Sequence, residues 1–140
     1  MPFALLIPAV VSSLFASTNC GDLPGASALV SRERLNYLLV GEYHGTVEMP
    51  QIAADLLCAA VAQKRPVVLG LEFTPENQSS LEAYLQSDGS MAARERALSA
   101  PAWQSPDGRN SRAVFELLET ARRLRAAGHT VGVVAFDLVP

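Results

Sequence analysis

Three short runs of apolar residues, separated by much longer stretches of helical character, constrain the fold of this chain more than any other feature. They cover residues 37–41, 66–71 and 131–136. A strand with apolar side chains on both faces is typical of a parallel sheet, whose two faces are both covered. Parallel strands need long crossover connections, which are usually helices. The pattern therefore predicts an α/β fold, a parallel sheet with crossover helices of the doubly wound or barrel kind.

The stretches between the runs carry the apolar periodicity of amphipathic helices. The first helix is expected over about 46–64, and the next begins at Thr74, because a Thr-Pro-Glu sequence suits a helix N-terminus. A short helix is expected over about 91–99. The clearest helix covers about 111–127, with Gly128 as its C-cap.

Length and charge exclude several classes of protein. The chain has 140 residues, which is the size of one domain. Apolar residues make up 49% and charged residues 18%, so the chain can bury a core. A net charge of −3 argues against a nucleic-acid-binding surface. Outside the N-terminus no apolar run is long enough to span a membrane, so we expect no stable span once a signal is removed.

The N-terminus has the composition of a secretory signal. Residues 1–16 are almost entirely apolar, and small residues follow at 16–18. We therefore expect a signal segment over 1–20, a single α/β domain over 21–140, and an exported protein, periplasmic or extracellular in a bacterium. The alternative is that the apolar run forms a buried first strand or helix.

Two cysteines bear on the same question. Cys20 lies just beyond the expected cleavage site, and Cys58 lies in the first predicted helix. In an oxidising compartment they can form a disulfide that holds the N-terminal loop against that helix. The alternative is two unrelated cysteines, with Cys58 acting as a small core residue.

Acidic residues follow all three apolar runs. Glu42 comes after the first, with Glu48 further on, while Glu72 and Asp137 follow the second and third. The carboxyl ends of parallel strands share one sheet edge, where ligands bind. Such a cluster indicates a cation, a general base or a protonated acid. The candidate metal ligands are Glu42, His44, Glu48, Glu72 and Asp137.

His44 is the most specific residue of this cluster. It lies at a strand-to-helix turn, where Gly45 permits close backbone approach and Thr46 can cap the next helix. The predicted catalytic set is His44 with Glu42 and Glu72. The alternative is a loop histidine paired with one glutamate. His129 follows the Gly128 cap and is assigned no role beyond the helix dipole.

Further polar and aromatic residues have weaker assignments. Arg109 and Arg112 can clamp an anionic group, or can simply form a solvated helix start. Tyr84 and Trp103 are expected in the core or in a lid rather than as ligand contacts.

Several of these segments together resemble a known superfamily. The run Val-Gly-Glu-Tyr-His-Gly-Thr-x-Glu at 40–48, Gly-Leu-Glu-Phe at 70–73, Asp-Gly-Arg at 107–109 and Val-Ala-Phe-Asp at 134–137 carry the resemblance. They are similar to segments of the superfamily that joins ChaN-type haem-binding proteins, Tiki-type metalloproteases and erythromycin-esterase-like hydrolases. The resemblance covers about residues 36–137.

The three branches imply different activities. The ChaN-like branch implies periplasmic haem binding linked to iron uptake, the Tiki-like branch a metal-dependent peptidase, and the third branch an esterase in which His and Glu activate water. The two-residue spacing of Glu42 and His44 matches the ChaN-like pattern better than the three-residue spacing of the esterases. The ChaN-like branch is therefore favoured. It implies haem with Tyr43 or His44 as axial ligand, on apolar surface near Phe73 or Trp103.

The resemblance also implies that the chain is the N-terminal part of the family domain. Family members continue beyond the third strand, and a three-stranded parallel sheet leaves open edges. We expect a homo-oligomer or a missing C-terminal half to complete the sheet.

Three functions stay open at this point. The first is an exported ChaN-like protein that binds haem or a divalent metal ion. The second is a hydrolase of peptidase or esterase type, metal-assisted or relying on His and Glu. The third is a non-catalytic interaction module. The expected ligand is a small molecule or cofactor, with no nucleic acid, and whether the chain is an enzyme is left open.

Overall fold

The structure, a computed structural model, describes residues 20–137. The predicted signal segment lies almost entirely outside this range. The described chain contains five α-helices, two strands and two short 3-10 turns. In chain order they are α1 Ala26–Val30, α2 Glu48–Ala62, β1 Val67–Leu71, a 3-10 turn Pro75–Asn77, α3 Gln78–Leu85, α4 Met91–Leu98, a 3-10 turn Pro101–Gln104, α5 Arg112–Ala126 and β2 Val131–Ala135.

The two strands form a parallel sheet, so the mixed α/β class is confirmed. Val67 lies opposite Val131, and Leu71 lies opposite Ala135. Three helices, α3 to α5, form the crossover between the strands, as a parallel connection requires. Within residues 20–137 no helix is both long and apolar enough to cross a membrane.

The predicted first strand does not form. Residues 37–41 are neither helix nor strand, and no backbone hydrogen bond joins them to another described residue. Tyr37 is 87% exposed and Leu39 is 92% exposed. An apolar run reports a tendency to be buried in a sheet, but a strand exists only where its backbone groups find a partner.

The predicted positions of the two longest helices, α2 and α5, are confirmed to within two residues at each end. The Ser111 hydroxyl caps α5 by accepting a hydrogen bond from the Val114 N–H at 3.3 Å. Gly128, with φ of +92°, ends the same helix. The helix expected at Thr74 begins as a 3-10 turn and becomes α-helical at Gln78, and the short helix α1 was not predicted.

The main core lies between the helices and one face of the sheet. Trp103 packs edge-on against Phe73 and Phe115, with ring centroids 5.0 and 5.2 Å away. Tyr84 packs against Phe115 at 5.0 Å. Tyr84 and Trp103 are therefore core residues, one of the two roles expected for them.

The other face of the sheet is open to solvent. Val68, Val134 and Phe136 are exposed there. The Phe136 ring lies over Gly70, where an added Cβ would stand 3.1 Å from Phe136 Cδ1. Glycine at 70 therefore allows the aromatic ring to lie close to β1.

A side chain covers the outer edge of β2. Gln78 donates from Nε2 to the Val133 carbonyl at 3.0 Å, and its Oε1 accepts from the Ala135 N–H at 2.8 Å. The amide thus occupies the backbone groups that a further strand would use. This edge is closed to strand pairing.

A disulfide joins the N-terminal part of the described chain to α2. Cys20 and Cys58 are bonded, with their Cα atoms 6.0 Å apart. Beside the disulfide, Asp55 accepts a hydrogen bond from the Gly21 N–H at 2.7 Å. Helix α1 then packs on α2 in a small second core.

A buried carboxylate holds α3, α4 and α5 together. Glu119 accepts hydrogen bonds from the Tyr84 hydroxyl at 2.8 Å, from Arg122 at 2.7 and 3.0 Å, from Arg123 at 2.8 Å and from Arg94 at 3.0 Å. Burial opposes ionisation of Glu119, but these hydrogen bonds outweigh it and lower its pKa to about 2. Burial and the same carboxylate raise the pKa of Tyr84 to about 12.

Candidate functional site

Two acidic residues meet at the carboxyl ends of the strands. Glu72 directly follows β1, and Asp137 lies two residues beyond β2. Hydrogen bonds extend the pairing past the strands, because the Phe136 N–H donates to the Leu71 carbonyl at 3.1 Å and the Asp137 N–H donates to the Phe73 carbonyl at 3.0 Å. The parallel sheet therefore places both carboxylates at one edge.

His44 reaches the same edge from the preceding loop. Its Nε2 lies 3.2 Å from Glu72 Oε2, within hydrogen-bond distance. The two side chains are 34% and 44% exposed, so solvent and a substrate have access to them. A tight turn positions the histidine, since the Thr46 N–H donates to the Tyr43 carbonyl at 3.1 Å and Gly45 has a left-handed φ of +84°.

Arg109 links three carboxylates around this pair. One terminal nitrogen of its guanidinium lies 2.5 Å from Asp137 Oδ2 and 3.7 Å from Glu72 Oε1. Its Nε lies 2.8 Å from Asp107 Oδ2. The hydrogen bonds that Arg109 donates to Asp107 and Asp137 raise the pKa of its guanidinium, so its charge is permanent. The guanidinium offsets part of the negative charge at the edge.

The loop that carries Arg109 packs directly on the turn of residues 43–46, called the histidine turn below. Gly108 has a φ of +86°, and a Cβ there would stand 3.2 Å from the His44 Cβ and from the Gly45 backbone N. A side chain at this position would be strained and crowded. Glycine at 108 is therefore the residue that brings Arg109 and His44 together.

Asp107 belongs to the cluster, although sequence reasoning did not list it among the site residues. Its carboxylate accepts hydrogen bonds from the Arg109 N–H at 3.0 Å and from the Arg109 side chain. Partial burial would raise the pKa of Asp107, but these bonds outweigh it and the pKa falls. The Asp-Gly-Arg sequence could have predicted this contact, because an aspartate side chain often accepts a hydrogen bond from the backbone two residues further on.

Glu42 lies within electrostatic reach of the pair. Burial is the largest cause that raises the pKa of Glu42, and the Glu72 charge raises it further, while His44 acts in the opposite direction. Glu42 is therefore easier to protonate than an ordinary glutamate.

Other sequence candidates lie apart from the pair. The Glu48 carboxylate accepts a hydrogen bond from the Val47 N–H at 3.2 Å, at the start of α2. Arg112 is exposed and pairs with Glu116 at 2.7 Å within α5. Tyr43 is exposed on the histidine turn. The sequence predicted that Arg109 and Arg112 could clamp an anion. Only Arg109 lies at the site, and there it contacts acidic side chains.

Thr46 does not cap the following helix. Its hydroxyl oxygen is buried and has no hydrogen-bond partner among residues 20–137. The N-cap of α2 is Val47, and it makes no side-chain cap bond. The helix begins at Glu48, two residues later than the predicted start, and this moves its N-terminus away from the Thr46 hydroxyl.

The carboxylates and the imidazole at this edge are not arranged so that they can bind a divalent metal ion. In the described part of the chain no three His, Cys, Asp or Glu side chains are grouped so that they can hold one. The Arg109 guanidinium contacts both Glu72 and Asp137, the two carboxylates that would have to share a cation. The cluster is better described as a His–Glu pair supported by an arginine.

Comparisons with models of protein families, with curated proteins and with solved structures find no match to this chain. The resemblance of residues 36–137 to the ChaN, Tiki and esterase superfamily therefore stays a prediction. The function has to be argued from the geometry of the site.

Proposed function

We propose that this chain is a hydrolase in which His44 and Glu72 activate water for attack on an ester or amide bond. The observation that carries the proposal is the 3.2 Å contact between His44 Nε2 and Glu72 Oε2 at a solvent-accessible sheet edge. A histidine oriented by a carboxylate is a common general base. No metal ion is required for this chemistry.

Each charged residue has a role in the proposed reaction. His44 accepts a proton as the water oxygen bonds to the substrate carbonyl, and Glu72 stabilises the imidazolium that forms. Glu42, with its raised pKa, donates a proton to the departing oxygen or nitrogen. Arg109 holds Glu72 and Asp137 in place through its ion pairs with them.

The test is hydrolysis of a panel of 4-nitrophenyl esters and peptide anilides by His44→Ala and His129→Ala. Loss of a general base typically costs about a hundredfold or more in rate, so kcat/KM should fall by that factor in His44→Ala. His129 is exposed beyond α5, and its variant should retain full activity. Equal rates in His44→Ala and the parent protein would refute the role of His44, and a panel without turnover would refute the hydrolase.

A second candidate function, haem binding, is favoured by the exposure of Tyr43. The phenol is free to approach an iron, and the histidine turn holds it beside His44. If haem were bound, it would supply iron chemistry, and Tyr43 would be the residue that holds the iron. Phe73 and Trp103, which were expected to support the porphyrin, are buried in the core and pack on each other. A porphyrin would have to lie on exposed apolar residues such as Leu39 or Phe136.

A haemin titration followed at the Soret band tests this candidate. We expect saturation at one haem per chain and loss of the shift in Tyr43→Phe, while His44→Ala still binds. Because Tyr43 is exposed, its replacement by phenylalanine should not disturb the fold. A titration that does not saturate, or an unchanged spectrum in Tyr43→Phe, would remove Tyr43 as the ligand.

We also propose that the chain is exported. The disulfide between Cys20 and Cys58 supports this, because disulfides persist mainly in oxidising compartments. Thiol alkylation of the cellular protein without prior reduction should leave both cysteines unmodified. Quantitative alkylation would argue for a reducing compartment.

A further inference from the structure

The outer edge of β1 carries unpaired backbone groups. The Val67 N–H donates to the Thr130 carbonyl at 3.0 Å, and the Leu71 carbonyl accepts from Phe136, so both residues face β2. Because backbone groups alternate along a strand, those of Val68 and Gly70 face away from β2. No backbone group within residues 20–137 bonds to them. The sheet is thus open at β1, whereas Gln78 closes it at β2.

The unpaired apolar segment 37–41, called the strap below, is tethered near both ends of β1. On its N-terminal side, the Leu35 carbonyl accepts a hydrogen bond of 2.7 Å from Arg65, two residues before β1. On its C-terminal side, His44 contacts Glu72, directly after β1. The strap therefore passes from the start of β1 to its end, in the direction of a parallel strand.

The length of the tethered segment suits pairing with β1. A strand rises about 3.3 Å per residue, so the chain from Leu35 to His44 reaches about 30 Å when extended. The stretch from Arg65 to Glu72 spans about 23 Å on the same basis. The excess of two residues leaves room for the turn that presents His44. Helix α2 provides the long crossover between the strap and β1 that parallel strands need.

We propose that the strap closes on the outer edge of β1 as a third parallel strand, and that closure further stabilises the His44–Glu72 contact, which is already made while the strap is unpaired. Closing would pair the free backbone groups of Val68 and Gly70 with the backbone of the strap. The consequence for catalysis rests on the proposed function, because it assigns His44 the role of base. The closure itself does not depend on it.

Hydrogen exchange read by mass spectrometry tests the closure without any substrate. Amides of residues 37–41 in the intact protein should exchange at least about tenfold more slowly than the same amides in a synthetic peptide of residues 35–44, because paired amides exchange only on opening. Exchange at the peptide's rate would overturn the proposal.

Two neighbouring proline substitutions test whether the protection is due to strand pairing. In a strand paired on one edge, alternate N–H groups face the partner, and proline is tolerated only where the N–H faces away. One of Leu38→Pro and Leu39→Pro should therefore abolish protection of the strap, and the other should keep most of it. Equal effects of the two variants, large or absent, would contradict a paired strand.

The side-chain resonances of His44 report the link to the site. The chain has two histidines, so His129 serves as an internal reference in the same imidazole NMR spectrum. The proline variant that opens the strap should move the His44 signals toward those of Glu72→Ala and leave His129 unchanged. Unchanged His44 signals in that variant would disprove the positioning role, even where hydrolysis by the parent protein is established.

Discussion

Replacing Glu119 with alanine is expected to lower the free energy of unfolding by about 3–5 kcal/mol, because it leaves a buried charge without its partner. Glu119 is 6% exposed and Arg122 is 9% exposed. Without the carboxylate, Arg122 keeps only a 3.3 Å bond to the Ser87 carbonyl among the hydrogen bonds described for it. Tyr84 loses its acceptor at the same time.

Urea unfolding followed by circular dichroism measures this effect, and α5 itself offers a matched control. Glu116 lies on the same helix and also pairs with an arginine, Arg112, but at the surface. The same substitution there should cost no more than about 0.5 kcal/mol. A loss below about 1 kcal/mol in Glu119→Ala, or equal losses in the two variants, would show that the buried cluster contributes little.

The low pKa of Glu119 also predicts how the difference depends on pH. The carboxyl has a pKa of about 2 in the folded protein against an ordinary value of 4.5. The unfolded chain therefore binds the proton more readily, and the stabilisation is lost as pH falls from about 4.5 towards 2. The difference in unfolding free energy between the parent protein and Glu119→Ala should therefore decrease as the pH falls through this range. A difference that does not change with pH would contradict the low pKa of Glu119.

Reduction of the Cys20–Cys58 disulfide is the second large effect expected. The bond closes a loop with a sequence separation of 38 residues. By chain-entropy reasoning a loop of this length contributes about 4 kcal/mol, so reduction should lower the melting temperature by more than about 10 °C. Calorimetry with and without a phosphine reductant measures it.

A double variant, Cys20→Ser with Cys58→Ala, provides the control. It should melt near the temperature of the reduced parent protein and should not respond to the reductant. The remaining contacts of this region, the Gly21–Asp55 hydrogen bond and the packing of α1 on α2, then act without the covalent link. A parent protein that melts at the same temperature in both states would show that these contacts suffice.

Local signals account for the parts of the fold that were predicted well. The Ser111 hydroxyl and Gly128 mark the two ends of α5. The apolar runs at 66–71 and 131–136 contain β1 and β2. Capping, glycine conformation and helical periodicity operate within a few residues, so they can be read from the chain alone.

The strap shows where this kind of reasoning fails. Residues 37–41 have the same apolar character as the segments that became β1 and β2, yet the structure leaves them unpaired. Apolar character reports what a segment gains by burial, whereas pairing depends on which edge is within reach. Only the assembled sheet shows that Gln78 closes one edge and leaves the other open.

For the site, the sequence by itself determined that acids and a histidine would gather at one sheet edge. Parallel strands put their carboxyl ends together, so Glu72 and Asp137 had to become neighbours, and the loop before α2 could deliver His44. Only the tertiary structure decided that Arg109 would stand between Glu72 and Asp137, and that Glu119 on α5 would reach Tyr84 on α3 and Arg94 on α4. Those contacts depend on distances between elements far apart in the chain, which no local pattern of residues encodes.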